Sequence, residues 1–248
     1  IYIMNNIHLK KLIKMSDVLL EILDSRFPNE CRLKNIENEI INRNKKLILV
    51  LNKIDLVDKD FLGSIYEKFV KEHPTVYISV KTRHGSRKLR ETIKKVADIN
   101  KEKIYIGVFG FPNTGKSSII NILVGARKAR TSPEPGFTKG IQLIKLSKKF
   151  YLIDSPGVYY PKNKYLLAIL GAIKVSDLRH PEKAVMYLYK KIGDKPFEEA
   201  YNIKVNNIKE LFLSLKEKFN YRGKDWIRKI SEKILYDWQK GKIKGYWM

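Results

Sequence analysis

The sequence predicts an α/β fold: a mostly parallel sheet covered by helices on both faces, followed by a small C-terminal all-helical domain. Three observations carry that expectation. Short β-branched runs alternate with amphipathic stretches, and their hydrophobicity is continuous, as a strand buried on both faces requires. The strand signal stops after about Pro161, leaving only helical periodicity. The chain has 248 residues, 44% of them hydrophobic, and a chain of this size hides roughly 70–75% of its extended surface without disulfide or metal staples.

Taken in order, the strand runs are 18–24 (VLLEILD), 47–52 (LILVLN), 76–80 (VYISV), 104–110 (IYIGVFG), 141–146 and 150–154. Each is bounded by polar or turn residues. Helical patterns lie between them at 62–72, 88–99 and 117–124. Beyond the strands, Val185, Leu188 and Ile192 recur at helical spacing, as do Ile208, Leu211, Phe212 and Leu215. Ile227, Ile230, Ile234 and Trp238 make a third stripe, with Asp225 placed to cap that helix and Gly241 to stop it. The chain is therefore expected to divide into a first domain over residues 1–164 and a basic helical domain over 165–248.

Charge narrows the partners. Lys+Arg number 50 against 26 Asp+Glu, a net charge of +24 with a pI of about 9.9, which argues against acidic partners and for a polyanion. Lysines outnumber arginines 39 to 11, and a biased proteome supplies part of that. It does not explain the deficit of acids, because heat-adapted compositions raise Glu along with Lys. The basic residues are spread across both domains, which favours nucleic acid over a membrane face. No apolar run approaches the roughly 18–20 residues that span a bilayer, and the first residues show no charged-then-apolar leader. Cys31 is the only cysteine. That excludes an intramolecular disulfide, argues against a thiolate metal cluster, and fits a reducing, cytoplasmic compartment. His8, His73, His84 and His180 have no metal-ligand spacing.

Residues 110–117 read GFPNTGKS, which is Gly-x-x-x-x-Gly-Lys-Ser, directly after a predicted strand and opening a predicted helix. The glycines let the backbone wrap a phosphate chain, and its amides point inward at the helix's positive end. Lys116 is placed for the outer phosphates and Ser117 for a magnesium-ligating hydroxyl. Asp154-Ser155-Pro156-Gly157 matches Asp-x-x-Gly after another strand. A carboxylate there can hold magnesium through water, while the glycine amide approaches a terminal phosphate. Thr138, in the run PGFTKG, can complete the metal shell.

Asn52-Lys53-Ile54-Asp55 ends a further strand. Asn-Lys-x-Asp suits guanine: the Asp accepts from the ring N–H and the exocyclic amine, an edge adenine cannot present. The Lys stem packs over the base and the Asn braces the pocket. Ser79, Val80 and Lys81 end the next strand, where the Val80 amide can meet the guanine carbonyl. Each short pattern is weak in a Lys-rich chain. Four such signals at four strand ends, where α/β sheets bind ligands, are a conjunction that decides the matter.

These elements resemble the nucleotide-binding motifs of the translation-factor-related GTPases, but in an unusual order. The guanine-specificity pair comes first, the phosphate loop second and Asp-x-x-Gly last. That order is similar to the circularly permuted GTPases of the YlqF/YawG type, which act in ribosome assembly. Asp24-Ser25-Arg26-Phe27-Pro28 resembles the family's Asp-Ala-Arg-x-Pro signature, and residues 236–243 (YDWQKGKI) resemble the carboxyl-terminal DWQRGKI element of its eukaryotic and archaeal members. Permutation is tolerable because the ends of a compact domain usually lie close together on its surface.

The resemblance implies a three-layer P-loop GTPase sheet in permuted motif order, binding GTP or GDP with magnesium. Guanine would be read by Asn52, Lys53 and Asp55, with Ser79, Val80 and Lys81 closing the pocket. Asn113, Thr114, Gly115, Lys116, Ser117 and Ser118 would hold the phosphates. Magnesium would be held by Ser117 and Thr138, with Asp154 acting through water. Catalysis would rest on Lys116, Thr138 and Gly157. Many GTPases carry a water-orienting Gln directly after Asp-x-x-Gly, and here that position is Val158. Slow intrinsic turnover is therefore expected, accelerated by an ion or by the assembly partner. Asn113 stands where potassium-activated relatives hold a monovalent cation, or else braces the loop.

The implied partner is the large ribosomal subunit or its rRNA, not DNA or a membrane, with a monomer as the default state. Residues 158–248 carry 20 Lys+Arg against 10 Asp+Glu. Lys229, Lys233, Tyr236 and Lys240 share one helix face, a pattern that suits phosphate contact and base stacking, or else a solvated lysine face. Two other functions stay open: a GTPase of tRNA modification or translation, and a nucleotide-gated RNA-binding protein with negligible turnover.

Overall fold

The structure is a computed structural model that describes residues 6–125, 142–154 and 163–247. The chain falls into two compact units, Ile1–Tyr160 and Pro161–Trp247.

The first unit runs α1 (Asn6–Met15), β1 (Val18–Asp24), α2 (Pro28–Cys31), α3 (Lys34–Asn42), β2 (Lys46–Asn52), α4 (Lys59–Val70), β3 (Thr75–Ile78), α5 (Ser86–Val96), β4 (Ile104–Phe109), α6 (Lys116–Val124), β5 (Gln142–Lys145) and β6 (Phe150–Asp154). The strands form one sheet in the order β3-β2-β1-β4-β6-β5. All neighbours are parallel except β5 and β6, which pair antiparallel. The predicted doubly covered α/β sheet is what forms.

Alternation along the strands explains the layers. Val18, Leu20 and Ile22 of β1, with Ile48, Val50, Ile106 and Val108, pack against Leu89 and Ile93 of α5 and Ile119 and Leu123 of α6. The intervening residues face the other way. There Gly107 lies against Leu12 and Ser16 at the end of α1, close enough that a Cβ would sit 3.0 Å from Leu12 Cδ1. Glu21 also faces that side and accepts from the backbone N–H of Leu33, the residue before α3, at 2.7 Å. α3 lies against β2 and α4 against β3.

Glu21 belongs to a buried polar cluster beneath α3. Arg32 and Glu37, each with 2% side-chain exposure, form a salt bridge, and Arg32 also reaches Glu72 at 2.9 Å. Burial pushes the Glu21 carboxyl well above the ordinary carboxylate range; the neighbouring Glu37 charge adds to the rise, against the opposing Leu33 amide and Arg32.

β3 ends two residues before the predicted limit. Ser79 instead makes an isolated bridge with His84, its N–H donating to the His84 carbonyl at 3.1 Å, and the chain reverses through Gly85 at φ +80°.

The second unit is helical: α7 (Lys164–Ile169), α8 (Pro181–Ile192), α9 (Lys195–Tyr201), α10 (Ile208–Lys218) and α11 (Trp226–Gln239). α11 packs on α7, α8 and α10, burying Ile230, Ile234, Leu235 and Trp238. Ile227 departs from the predicted stripe and is 42% exposed. Asp225 precedes α11 without a side-chain capping bond, whereas Gly241 does take the left-handed stop, at φ +73°. Trp238 Nε1 donates to the Ile169 carbonyl at 3.1 Å and Gln239 Nε2 to that of Ala168 at 2.7 Å. The 236–243 element therefore clasps the end of α7. No helix among the described residues is long and apolar enough to cross a membrane.

Candidate functional site

The sheet grows from β1 in two directions, toward β2 and β3 on one side and toward β4 and β6 on the other. A crevice at the carboxyl ends of strands where the order reverses is where such sheets take ligands. The loops after β1, β2 and β4 all meet there.

The loop after β4 is shaped by conformations few residues tolerate. Gly110 has φ +140°, and a Cβ there would lie 2.5 Å from the Ile22 carbonyl oxygen of β1. Asn113 and Gly115 are both left-handed, at φ +59° and +99°, and α6 starts on the next residue. Thr114 is buried and its Oγ1 donates to the Phe111 carbonyl at 2.9 Å. Lys116 Nζ donates to the same carbonyl at 2.6 Å, folding the ammonium over its own loop. Ser117 is exposed in the first turn of α6, with Ser118 half-buried beside it.

Asn52 joins this loop to the end of β2. Its Nδ2 donates to the Thr114 carbonyl at 2.8 Å, and a Cβ on Gly115 would overlap that nitrogen. Its own carbonyl accepts from the Ser25 N–H at 2.9 Å, tying in the loop after β1. The Asn52 Oδ1 is buried with no hydrogen-bond partner among the described residues. Lys53 follows in the left-handed region at φ +64°. Asp55 Oδ1 accepts from Ser79 Oγ at 2.7 Å, while Thr82 N–H donates to the same hydroxyl at 3.2 Å. Two strand-end loops are thereby joined through one carboxylate. Asp55 also lines an open cavity of about 640 Å³ walled by Leu62, Tyr66, Tyr77 and His84, so it is reachable from outside. Val80 is half-buried and Lys81 exposed on the turn beyond.

The loop after β1, noted in the sequence only as the 24–28 signature, adds contacts to which the motif assigned no role. The Asp24 carboxylate accepts from Arg26 Nη2 and from Lys53 Nζ, both at 2.8 Å. Burial by itself would raise the Asp24 pKa, but the Arg26 and Lys53 charges and their hydrogen bonds outweigh it and hold the carboxyl below the usual range. The available signal was an Asp and an Arg two residues apart at a strand end.

The structure thus brings Asn52, Thr114, Gly115 and Lys116 together, and joins Asp55 to Ser79. Asp154 ends β6, beside the strand that feeds the loop. Thr138, Gly157 and Val158 lie outside the described residues. Chemically, the arrangement offers left-handed loop amides, an ammonium and a helix start to an anion, with a separate carboxylate for a paired N–H donor edge. Among the described residues no group of His, Cys, Asp and Glu has the arrangement to hold a metal by itself.

A family model described as 50S ribosome-binding GTPase matches residues 105–213. A GTP-binding protein of Methanocaldococcus jannaschii is 36% identical over 95% of this chain and 65% of its own length. Nucleolar GTP-binding protein 2 of Schizosaccharomyces pombe is 33% identical over 95% of this chain and 46% of its own length. The chain therefore spans about half to two-thirds of these relatives. The solved structure of GDP-bound TM YlqF is similar over 96% of both chains, with a TM-score of 0.71 at 21% identity, a likeness of fold. Permuted motif order, strand order and these likenesses agree: the chain has the P-loop GTPase fold with its motifs in permuted order, and it resembles the GTPases of the YlqF type.

Proposed function

We propose that this chain binds GTP and GDP with magnesium, hydrolyses GTP, and uses the cycle to control its grip on a ribosomal particle during large-subunit assembly. The observation that carries the nucleotide reading is the Asn52–Thr114 bond, which sets a guanine-reading strand end against a phosphate loop. Asp55, oriented by Ser79, accepts from the guanine ring N–H and exocyclic amine. The Lys53 stem covers the base, and the Val80 amide meets the guanine carbonyl. The phosphates lie along Asn113 to Ser118, and Lys116 exchanges the Phe111 carbonyl for phosphate oxygens.

The donor set suits magnesium, a hard cation that takes few protein oxygens beside phosphates and water. Ser117 offers an exposed hydroxyl, with Thr138 and the carboxylate of Asp154 completing the set. Magnesium held there would supply neutralisation of the charge that develops on the phosphates. Val158 cannot orient water by hydrogen bonding, so intrinsic turnover is slow and the partner or a monovalent cation at Asn113 speeds it. Equal turnover in potassium and sodium buffers would remove the cation role.

The ribosomal part rests on the names carried by the matching family and relatives and on charge. Lys229, Tyr236 and Lys240 are exposed on one face of α11, where they suit backbone phosphates and a stacked base. Lys233 of the same face is engaged, 3.1 Å from Asp237 and 4.6 Å from the Phe219 ring centre. Two measurements test the proposal. Fluorescent GDP should bind at least about a hundredfold more tightly than the ADP analogue, because a site built for a paired donor edge rejects bases that lack it. Sedimentation with large subunits should differ between the GTP and GDP states; identical binding overturns the switch. Single-turnover hydrolysis with and without subunits separates a switch from an RNA binder of negligible turnover.

A further inference from the structure

Asp24 and Arg26 close β1 where the sheet changes direction, between Asn52 on one side and the phosphate loop on the other. Both are buried, at 1% and 2% exposure, and neither is a nucleotide contact in the reading above. Arg26 satisfies most of the carboxylate by itself: its backbone N–H, Nε and Nη2 donate at 3.1, 3.0 and 2.8 Å. The pair is neutral, forked and dry, and Arg26 is further fixed over the Phe27 ring at 5.1 Å. A fourth donor nevertheless joins it. The Lys53 side chain is 23% exposed, so water is within reach, yet its ammonium turns inward to Asp24 Oδ2 at 2.8 Å.

Lys53 is thus held at both ends. Its backbone is set in the left-handed region at φ +64°, an uncommon conformation for a residue with a side chain. Its charged end is set by a rigid buried pair. A free lysine side chain carries much rotamer entropy, and a stem pinned in this way has given it up on folding rather than on ligand binding.

Resting on the nucleotide reading above, we infer that the Asp24–Arg26 pair is a positioning device for base recognition, which holds the Lys53 stem as a preformed wall of the guanine slot. Asp24 is a positioning residue that acts through Lys53. The segment 24–28 then has a duty in ligand affinity in addition to closing a strand.

The test measures dissociation constants of GDP, IDP and inorganic tripolyphosphate for the full chain and for Asp24→Asn, Lys53→Met and the double variant. Asp24→Asn is expected to weaken GDP and IDP alike, by about tenfold, the scale of one charge-assisted bond. The GDP-to-IDP ratio reads Asp55 and stays constant. Tripolyphosphate reads the phosphate loop and also stays constant. Lys53→Met loses the same anchor, so the double variant is no worse than either single one. Should Asp24→Asn not fold, because Arg26 is left without a countercharge, Lys53→Met carries the test from a half-exposed position through the same parallel losses. Unchanged GDP affinity in Lys53→Met, additive losses in the double variant, or an equal loss for tripolyphosphate overturns the inference. An unmodified chain that binds tripolyphosphate but does not prefer GDP to ADP overturns the nucleotide reading instead.

Discussion

Asn52 Nδ2 lies 2.8 Å from the carbonyl oxygen of Thr114, joining residues 62 positions apart in the chain. That bond has a neighbour in Gly115, whose missing Cβ leaves the space the amide occupies. The end of β2 and the loop after β4 are made into one rigid edge by a single side chain.

Asn52→Ala is accordingly expected to leave the fold intact and weaken GDP. Losing a buried hydrogen bond while orphaning a carbonyl costs about 1–3 kcal/mol. Fluorescence titration should show a rise in Kd of about five- to 150-fold.

Gly115→Ala attacks the same edge from the other side. Its φ of +99° is strained for any L side chain, and the new methyl overlaps Asn52 Nδ2. GDP affinity should fall at least about tenfold, because misplacing the loop costs as much as the lost bond. The circular dichroism spectrum should be unchanged.

Glu21→Gln should make the first unit more stable at neutral and alkaline pH. In the folded chain the buried Glu21 carboxyl keeps its proton at pH values where the unfolded chain has released it, because burial raises its pKa from the ordinary 4.5. The stability of neutral Glu21 is therefore complete below about that value and is lost as pH rises through the raised folded pKa. Gln keeps the acceptor for Leu33 N–H and carries no charge. Thermal midpoints of the two forms should be close near pH 4.5 and separate on raising the pH. The difference is about 1–3 kcal/mol by pH 8, the mutational cost of a poorly compensated buried polar group. A constant offset across that range would reject the assignment.

Trp238→Phe should destabilise the helical unit. It deletes the Nε1 donor to Ile169 and shrinks a fully buried ring stacked 5.9 Å from that of Trp247. The expected cost is about 1–3 kcal/mol from the orphaned carbonyl together with lost packing. Hydrogen exchange should report it as faster exchange in α7 and α11, with the strands of the first unit unaffected.

How legible the molecule was depended on the range of each signal. Val18–Asp24 and Phe150–Asp154 form strands over the predicted residues, because a continuous apolar run bounded by turn residues is a local property. α2 and α9, of 4 and 7 residues, left no trace, since a helix of one or two turns shows too few repeats to register a period. Spacing puts Ile227 on the core stripe of α11, yet it is exposed, because periodicity gives a face and not the width of what covers it. The left-handed Asn113 and Gly115 sit inside a recognisable motif, and the loop they shape was readable for that reason.

By itself the sequence determined the strands, the motifs at their ends and the permuted order in which those occur, all written in neighbouring residues. The tertiary structure alone decided that Asn52 reaches Thr114, that Asp55 meets Ser79, and that Asp24 shares its carboxylate between Arg26 and Lys53. Such pairings follow from strand order and register, which bring distant residues within hydrogen-bond range, and no local pattern encodes which strand lies beside which.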